Sequence, residues 1–292
     1  MGAGAALAAQ IPRRVQERLF DAFLRATMIS AARGVSPSSR FVLNELFLMR
    51  GTRRYRLRRS GKTLFVRHPV ADAWVVHEVV NNGAYVPPPA VERAIARLRR
   101  PRLVDLGAHI GASTLLLLER FPAAQVLAVE PHPQSAAMLR AMIAANDLEG
   151  QCEVRQAAVG VRAARASMEG FSVLAHLVRA DTEEAVDILP PLRRYQAGGG
   201  GRVDVEVVDA LPLLQDADLV KIDIEGAEWP ILQDPRFRSL GISALVLEYH
   251  PQGAPEPDTT AAVRRLLGAA GFTVGEPFAQ HGALGMIWAW RE

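Results

Sequence analysis

This chain has little cysteine and almost no lysine. Its 292 residues hold one cysteine, Cys152, so no intrachain disulfide can form. A single thiol suits a reducing compartment, and its place beside an apolar run suits a small buried hydrophobe. Lysine occurs only at Lys62 and Lys221; every other basic side chain is arginine or histidine. No apolar run approaches the roughly 18–20 residues of a membrane span. The alanine-rich start, Gly2 to Ile11, has no basic residue before it and makes a poor secretion signal. The Arg13-Arg14 pair is followed by an amphipathic stretch instead of an apolar one. These absences point to a cytoplasmic protein with no membrane partner. Internal repeats are absent too.

The composition is that of a globular chain, 49% hydrophobic and 22% charged, with a net charge of +3. Pro12 to Ala32 carries Val15, Leu19, Phe20, Phe23 and Ile29 near helical spacing. That helix packs on the main domain, forms a homodimer contact, or covers a substrate. Arg50 to His68 is basic, with two alternating runs around Ser60-Gly61, and predicts a hairpin. Ala71 to Tyr85 and Ala90 to Arg99 read as helices, separated by Val86-Pro-Pro-Pro89.

From Arg102 onward the patterns alternate. Strands are expected at 103–106, 125–130, 153–158, 219–223 and 244–249, with helices at 112–121, 134–146, 226–233 and 259–270. Two further strand-like runs close the chain, 272–274 and 285–289. Such alternation predicts an α/β fold with a mostly parallel sheet covered on both faces. Ala180 to Gly201 breaks the pattern, and its four-glycine end reads as an exposed loop.

Two segments carry chemistry. The first is Val104-Asp-Leu-Gly-Ala-His-Ile-Gly111, an apolar strand ending in an acid, then two glycines, then a leucine-rich helix. A second strand ends at Glu130. Glycines let backbone approach a ligand, a helix N-terminus attracts a negative group, and an acid after the second strand can accept ribose hydroxyls. His109 stands where a dinucleotide fingerprint needs its middle glycine, which disfavours a close pyrophosphate. S-adenosylmethionine, with a small carboxylate and an amine, fits the spacing.

The second segment is Asp218-Leu-Val-Lys-Ile-Asp-Ile-Glu-Gly-Ala-Glu228. If the strand runs on, Lys221, Asp223 and Glu225 share one face. Lysine here, in a chain that uses arginine elsewhere, suggests a group whose proton matters, since lysine can shift its pKa and arginine cannot. A structural ion pair is the competing reading. Glu248 and His250 lie at the next strand end. With Asp223 they could hold a divalent metal, or His250 could serve as a general base without one.

These segments, in this order, resemble the FkbM-type S-adenosylmethionine-dependent methyltransferases. The resemblance spans Tyr55 to Trp290. It rests on Phe65-Val-Arg-His-Pro-Val-Ala-Asp72 leading to Glu78 and Gly83-Ala-Tyr85, on the glycine segment with Val129-Glu-Pro131, and on Val208-Asp-Ala-Leu211 with the lysine segment. It implies a Rossmann-like seven-stranded sheet with an antiparallel last strand. It implies methyl transfer, usually to oxygen of a small natural product or sugar. Asp105, Gly107, His109, Gly111 and Glu130 would hold the cofactor, and Tyr85 would help cover it. Asp223, Lys221 and His250 are the catalytic candidates. The chain then divides into a helical extension, 1–50, a basic lead-in, 51–100, and a methyltransferase domain, 101–292.

Three alternatives stay open at this stage. Carboxyl O-methylation needs no base. Nucleic-acid methylation is prompted by the basic hairpin, but the acidic Asp223–Glu228 rim would repel phosphates. A cofactor-binding scaffold without catalysis could use the same fold.

Overall fold

The computed structural model describes residues 26–291, except 28, 70–71, 170–175 and 179–202. Most of the expected Pro12–Ala32 helix, the homodimer contact placed on it and the glycine run ending at Gly201 lie outside those residues. No helix among the described residues is long and apolar enough to cross a membrane.

The chain enters through a short strand β1 (Val35–Ser36) and helix α1 (Ser38–Leu46). The basic hairpin follows as β2 (Gly51–Leu57) and β3 (Thr63–His68), antiparallel as expected. Its arginines partly bind the lead-in itself: Arg54 donates to Thr63, Arg56 to the Gly61 carbonyl and Arg58 to the Val35 carbonyl. Helix α2 (Asp72–Val75) then widens into one π-helical turn, Val76–Asn81. It ends before the expected Tyr85 because Gly83, at φ 66°, breaks it ahead of the prolines. Helix α3 (Pro89–Ala96) starts on its own proline.

The alternating half contains β4 (Arg102–Leu106), α4 (Ala112–Arg120), β5 (Gln125–Val129), α5 (Pro133–Ala144) and β6 (Cys152–Arg155). After them come β7 (Ala158–Gly160), β8 (Ala164–Glu169), β9 (His176–Val178), β10 (Val203–Asp209) and α6 (Ala210–Leu214). The chain closes with β11 (Leu219–Ile222), α7 (Glu228–Gln233), β12 (Ala244–Tyr249), α8 (Thr259–Ala269), β13 (Thr273–Val274), β14 (Phe278–His281) and β15 (Leu284–Trp290).

The main sheet runs β13-β15-β12-β11-β4-β5-β6, with β14 flanking β15. The five strands from β12 to β6 are parallel, and β15 is antiparallel to β12. This is the seven-stranded, mostly parallel α/β sheet of a Rossmann-like methyltransferase fold. Alternate residues feed two cores. Leu103, Val126, Leu219 and Val246 pack under the hairpin and helices α4 and α5. Val104, Val220, Leu245 and Ile287 pack under α6, α7 and α8.

A second sheet, β7-β10-β8-β9, was not expected. The single strand read over 153–158 is two strands, separated at Gln156-Ala157, and each joins a different sheet. Strand β8 is Ala-Arg-Ala-Ser-Met-Glu, too alanine-rich to announce itself. It forms because β10 pairs with it antiparallel over five positions. Cys152 is buried on β6, and burial pushes its thiol up to about 12, so it is unreactive packing.

Candidate functional site

The site lies where parallel strands end, the usual place for ligands in open α/β sheets. Strand β4 turns into α4 through three left-handed residues: Gly107 at φ 80°, His109 at φ 51° and Gly111 at φ 87°. Their glycines serve the protein's own packing. A Cβ on Gly107 would stand 1.8 Å from the Asp223 carbonyl oxygen, and one on Gly111 would stand 2.4 Å from Met142. Gly111 therefore seats α4 on α5 and does not line the groove.

Glu130 follows β5, and its oxygens are oriented from both sides. Oε2 accepts the His109 N–H at 2.9 Å, and Oε1 accepts the His132 N–H at 2.8 Å. Burial raises its pKa, while His109 and those two main-chain bonds pull it back. The groove beside it is lined by Gly107, His109, Glu130, Met168, Asp223 and Glu225. Met168 comes from the unexpected second sheet.

His109 is anchored from behind by a pair that sequence reasoning left without a role. Arg67 donates to both oxygens of Asp72, at 2.9 and 2.8 Å, and Asp72 is fully buried. His109 Nε2 lies 2.8 Å from Arg67 Nη2 and 3.3 Å from Asp72. Burial works against the Asp72 charge, but Arg67 and His109 outweigh it and hold the carboxyl well below its usual range.

Asp105 is displaced from its expected cofactor role. It is fully buried, and its Oδ2 accepts the Ser113 and Thr114 hydroxyls at 2.7 and 2.6 Å. Its register partner on β11 is Lys221, whose Nζ stands 3.3 Å from Asp105 Oδ1. That lysine also donates to the Gly107 carbonyl at 2.6 Å and stands 3.3 Å from Asp223. Burial opposes its charge, yet Asp105 and Asp223 outweigh burial and raise its pKa. A base must give up its proton first, so Lys221 does not fit a base role; it is a cationic tie between strand ends.

Tyr85 is likewise placed elsewhere. Its hydroxyl donates to Asp223 Oδ2 at 2.9 Å and to Glu248 Oε2 at 3.2 Å, and it does not line the groove. Burial raises its pKa, and Asp223, Glu248 and Glu78 add to that. Glu248 is raised by burial and by Asp223 and Glu78.

Strand β11 stops at Ile222, so Glu225 is not a strand residue as expected. At φ 54°, next to Gly226, it turns toward His250, whose Nε2 lies 3.3 Å away. Glu228 was unrecognised as a partner. It is fully buried, accepts the His250 and Gly226 N–H groups at 2.7 and 2.8 Å, and faces His250 Nδ1 at 3.2 Å. Burial disfavours the imidazolium, but Glu228, Glu225 and Asp223 outweigh it and raise His250 to about 10. His250 is charged at neutral pH, which corrects its reading as a base.

The metal reading also changes. The three groups whose ligand atoms converge are Asp223, Glu225 and His250; Glu248 is not among them. With no ion present, the two ring nitrogens of His250 face the Glu225 and Glu228 carboxylates. Trp229 is fully buried and donates to the His250 carbonyl.

Comparison with known proteins places this geometry. The model of the methyltransferase FkbM domain matches residues 105–274, more than half of the chain. Methyltransferase sdnD of Sordaria araneosa is 27% identical over 176 residues, 52% of this chain and 68% of that protein. Methyltransferase 1 of Beauveria bassiana is 27% identical over 142 residues, 45% of this chain and 57% of that protein. Among solved structures, a precorrin-6y C5,15-methyltransferase from Geobacter metallireducens superposes with a TM-score of 0.39 at 16% identity. It covers 70% of this chain and 87% of its own.

Proposed function

This chain belongs to the methyltransferase FkbM domain family, and we propose on that premise that it methylates a hydroxyl oxygen of a small natural product or sugar with S-adenosylmethionine. Glu130 carries the reading. Two main-chain N–H groups fix its carboxylate beside the groove it lines, the position from which an acid after the second strand accepts vicinal hydroxyls. The residues fit such a cofactor: an acid for the ribose, an apolar wall at Val159 and Met168 for the base, and Gly107 and His109 of the turn along the groove. The sulfonium, when bound, supplies an already activated methyl carbon.

The protein's own work is placement and proton management. Asp223 lines the groove and is held ionised: burial opposes this, but Lys221 and His250 outweigh it. Glu225 lines the same groove with a raised pKa, from burial and from Asp223 and Glu228, against the pull of His250. A carboxylate with raised proton affinity is a better base near neutral pH than an ordinary one. The Glu225 pKa is raised to about 8, so its ionised form takes the acceptor's proton as pH rises toward that value, and Lys221 and His250 keep Asp223 ionised beside it.

Calorimetry with S-adenosylmethionine tests the cofactor half; no measurable heat of binding would overturn it. Product made with a labelled donor tests the bond. Label that survives mild base fits an ether, whereas release as methanol means carboxyl methylation instead.

A further inference from the structure

The large apolar side chains left in solvent are not scattered. Seven are exposed among the described residues, and five of these are Leu43, Leu46, Phe47, Leu48 and Met49, where α1 turns into β2. Phe47 is the most exposed of the seven, at 69%. A lone exposed leucine needs no explanation, but a contiguous apolar tip marks a contact surface.

The turn holds these side chains outward. The Met49 N–H donates to the Asn44 carbonyl at 2.9 Å and the Leu48 N–H to the Glu45 carbonyl at 3.4 Å, the paired bonds of a helix that ends in a left-handed residue. That residue is Leu48, at φ 51°, where glycine is the usual occupant. In such an ending the next residue commonly packs back on the last helical turn. Met49 and Leu43, which would make that contact, are both about half exposed.

Charge says what the tip meets. From Arg33 to Pro69 the chain carries ten arginines and lysines against one acid, Glu45. Glu45 is buried against His68, and Arg67 pairs with Asp72. Among the described residues, Arg53, Arg54, Arg56 and Arg58 bond to hydroxyls and main-chain carbonyls, which leave their charge uncancelled. The net charge of the whole chain is only +3, so the surplus is local. Three cations frame the tip. Arg40, Leu43 and Phe47 follow helical spacing along one side of α1. Arg50 follows Met49 directly, and the Arg53 guanidinium folds back onto the Arg50 carbonyl at 3.4 Å.

We propose that this tip seats the protein on an anionic lipid surface. The apolar side chains enter the headgroup layer, and the arginines meet lipid phosphates and carboxylates. An apolar tip framed by cations matches that surface on both counts. A nucleic acid would answer the charge but give the aliphatic side chains nothing to stack on. The expectation of no membrane partner rested on the lack of a spanning run and a leader, neither of which a peripheral seat needs. The inference does not depend on the methyl-transfer reading.

Sedimentation of the unmodified protein with vesicles tests it. One set is phosphatidylcholine alone; in the other about a quarter of that lipid is replaced by phosphatidylserine. Partition should be at least about tenfold stronger on the anionic set, and should weaken about fivefold or more between roughly 0.05 and 0.5 M salt. Phe47→Ser combined with Leu48→Gly should remove about tenfold or more of that partition. Glycine suits the left-handed position, so the urea midpoint of this variant should not fall. Partition that is absent, equal on the two sets, insensitive to salt or unchanged in the variant overturns the inference. A wild-type dimer that the variant converts to a monomer also overturns it, since a second copy then covers the tip. Retention of a short RNA duplex by wild type and variant alike, without partition to vesicles, overturns it in favour of a nucleic-acid surface on the hairpin. The two wild-type vesicle sets decide the matter even if the variant does not fold.

Discussion

Four carboxylates near the strand ends fall into two kinds. Glu130 and Glu228 are clamped, each with one main-chain N–H on either oxygen. Asp223 and Glu248 are crowded: they share one tyrosine hydroxyl and stand among other acids. A clamped acid has its direction fixed before any ligand arrives, at little reorganisation cost. A crowded acid has its charge exposed to whatever binds next. The first kind suits recognition or structure, and the second suits chemistry.

Substitutions can break that division. The largest effect should come from Glu228→Gln. Its fully buried carboxylate pairs with a charged histidine, and breaking such a pair costs about 3–5 kcal/mol. Urea unfolding would read this, and a loss under 1 kcal/mol would put Glu228 outside the clamped class. Asp223→Asn should come next, lowering turnover roughly 100-fold or more, the scale of losing one electrostatic contact in a transition state. Cofactor affinity should change by less than about threefold, since uniform binding is not what is removed. Turnover that survives would reduce Asp223 to a partner for Lys221. Glu130→Gln should weaken S-adenosylmethionine about 10- to 100-fold, as expected for charge-assisted hydrogen bonds worth about 1.5–3 kcal/mol. Glu248→Gln should leave that affinity within about twofold, and equal losses at both positions would erase the distinction.

The pH dependence is a separate test of the same rim. His250 is raised from 6.5 to about 10 in the fold, so its contribution is complete below pH 6.5 and is lost as pH rises to about 10. Glu225, also raised, acts in the same direction. Unfolding free energy should therefore fall across pH 6.5–10, by at most about 1.4 kcal/mol per pH unit for the one histidine proton. His250→Asn should flatten the slope; an unchanged slope would mean that another group titrates.

The parallel sheet was legible because strands buried on both faces read as apolar runs, such as Leu219-Val and Ala244-Leu-Val-Leu. The position of Glu130 beside the groove was legible from its place after β5. The acids that moved were misread for physical reasons. Asp105 ends a strand, as a ligand-facing acid would, but register opposite Lys221 turns it inward. Glu225 follows a strand by spacing, yet the chain bends at Glu225-Gly226. The Arg67–Asp72 pair lay inside a quoted motif, but five residues of separation give no sign of a two-point contact. Strand β8 lacks a strong propensity signal and lies about forty residues from β10, so only their pairing reveals the second sheet.

Two loops of the site are packed against each other. Gly107 packs against the Asp223 carbonyl, and Lys221 bonds the Gly107 carbonyl from below. The two ligand-facing segments are thus one mechanical unit. A molecule that shifts either loop changes the shape presented to the other. If a cofactor bound at one loop changes the affinity for an acceptor at the other, reciprocity requires the acceptor to change the cofactor's affinity by the same factor.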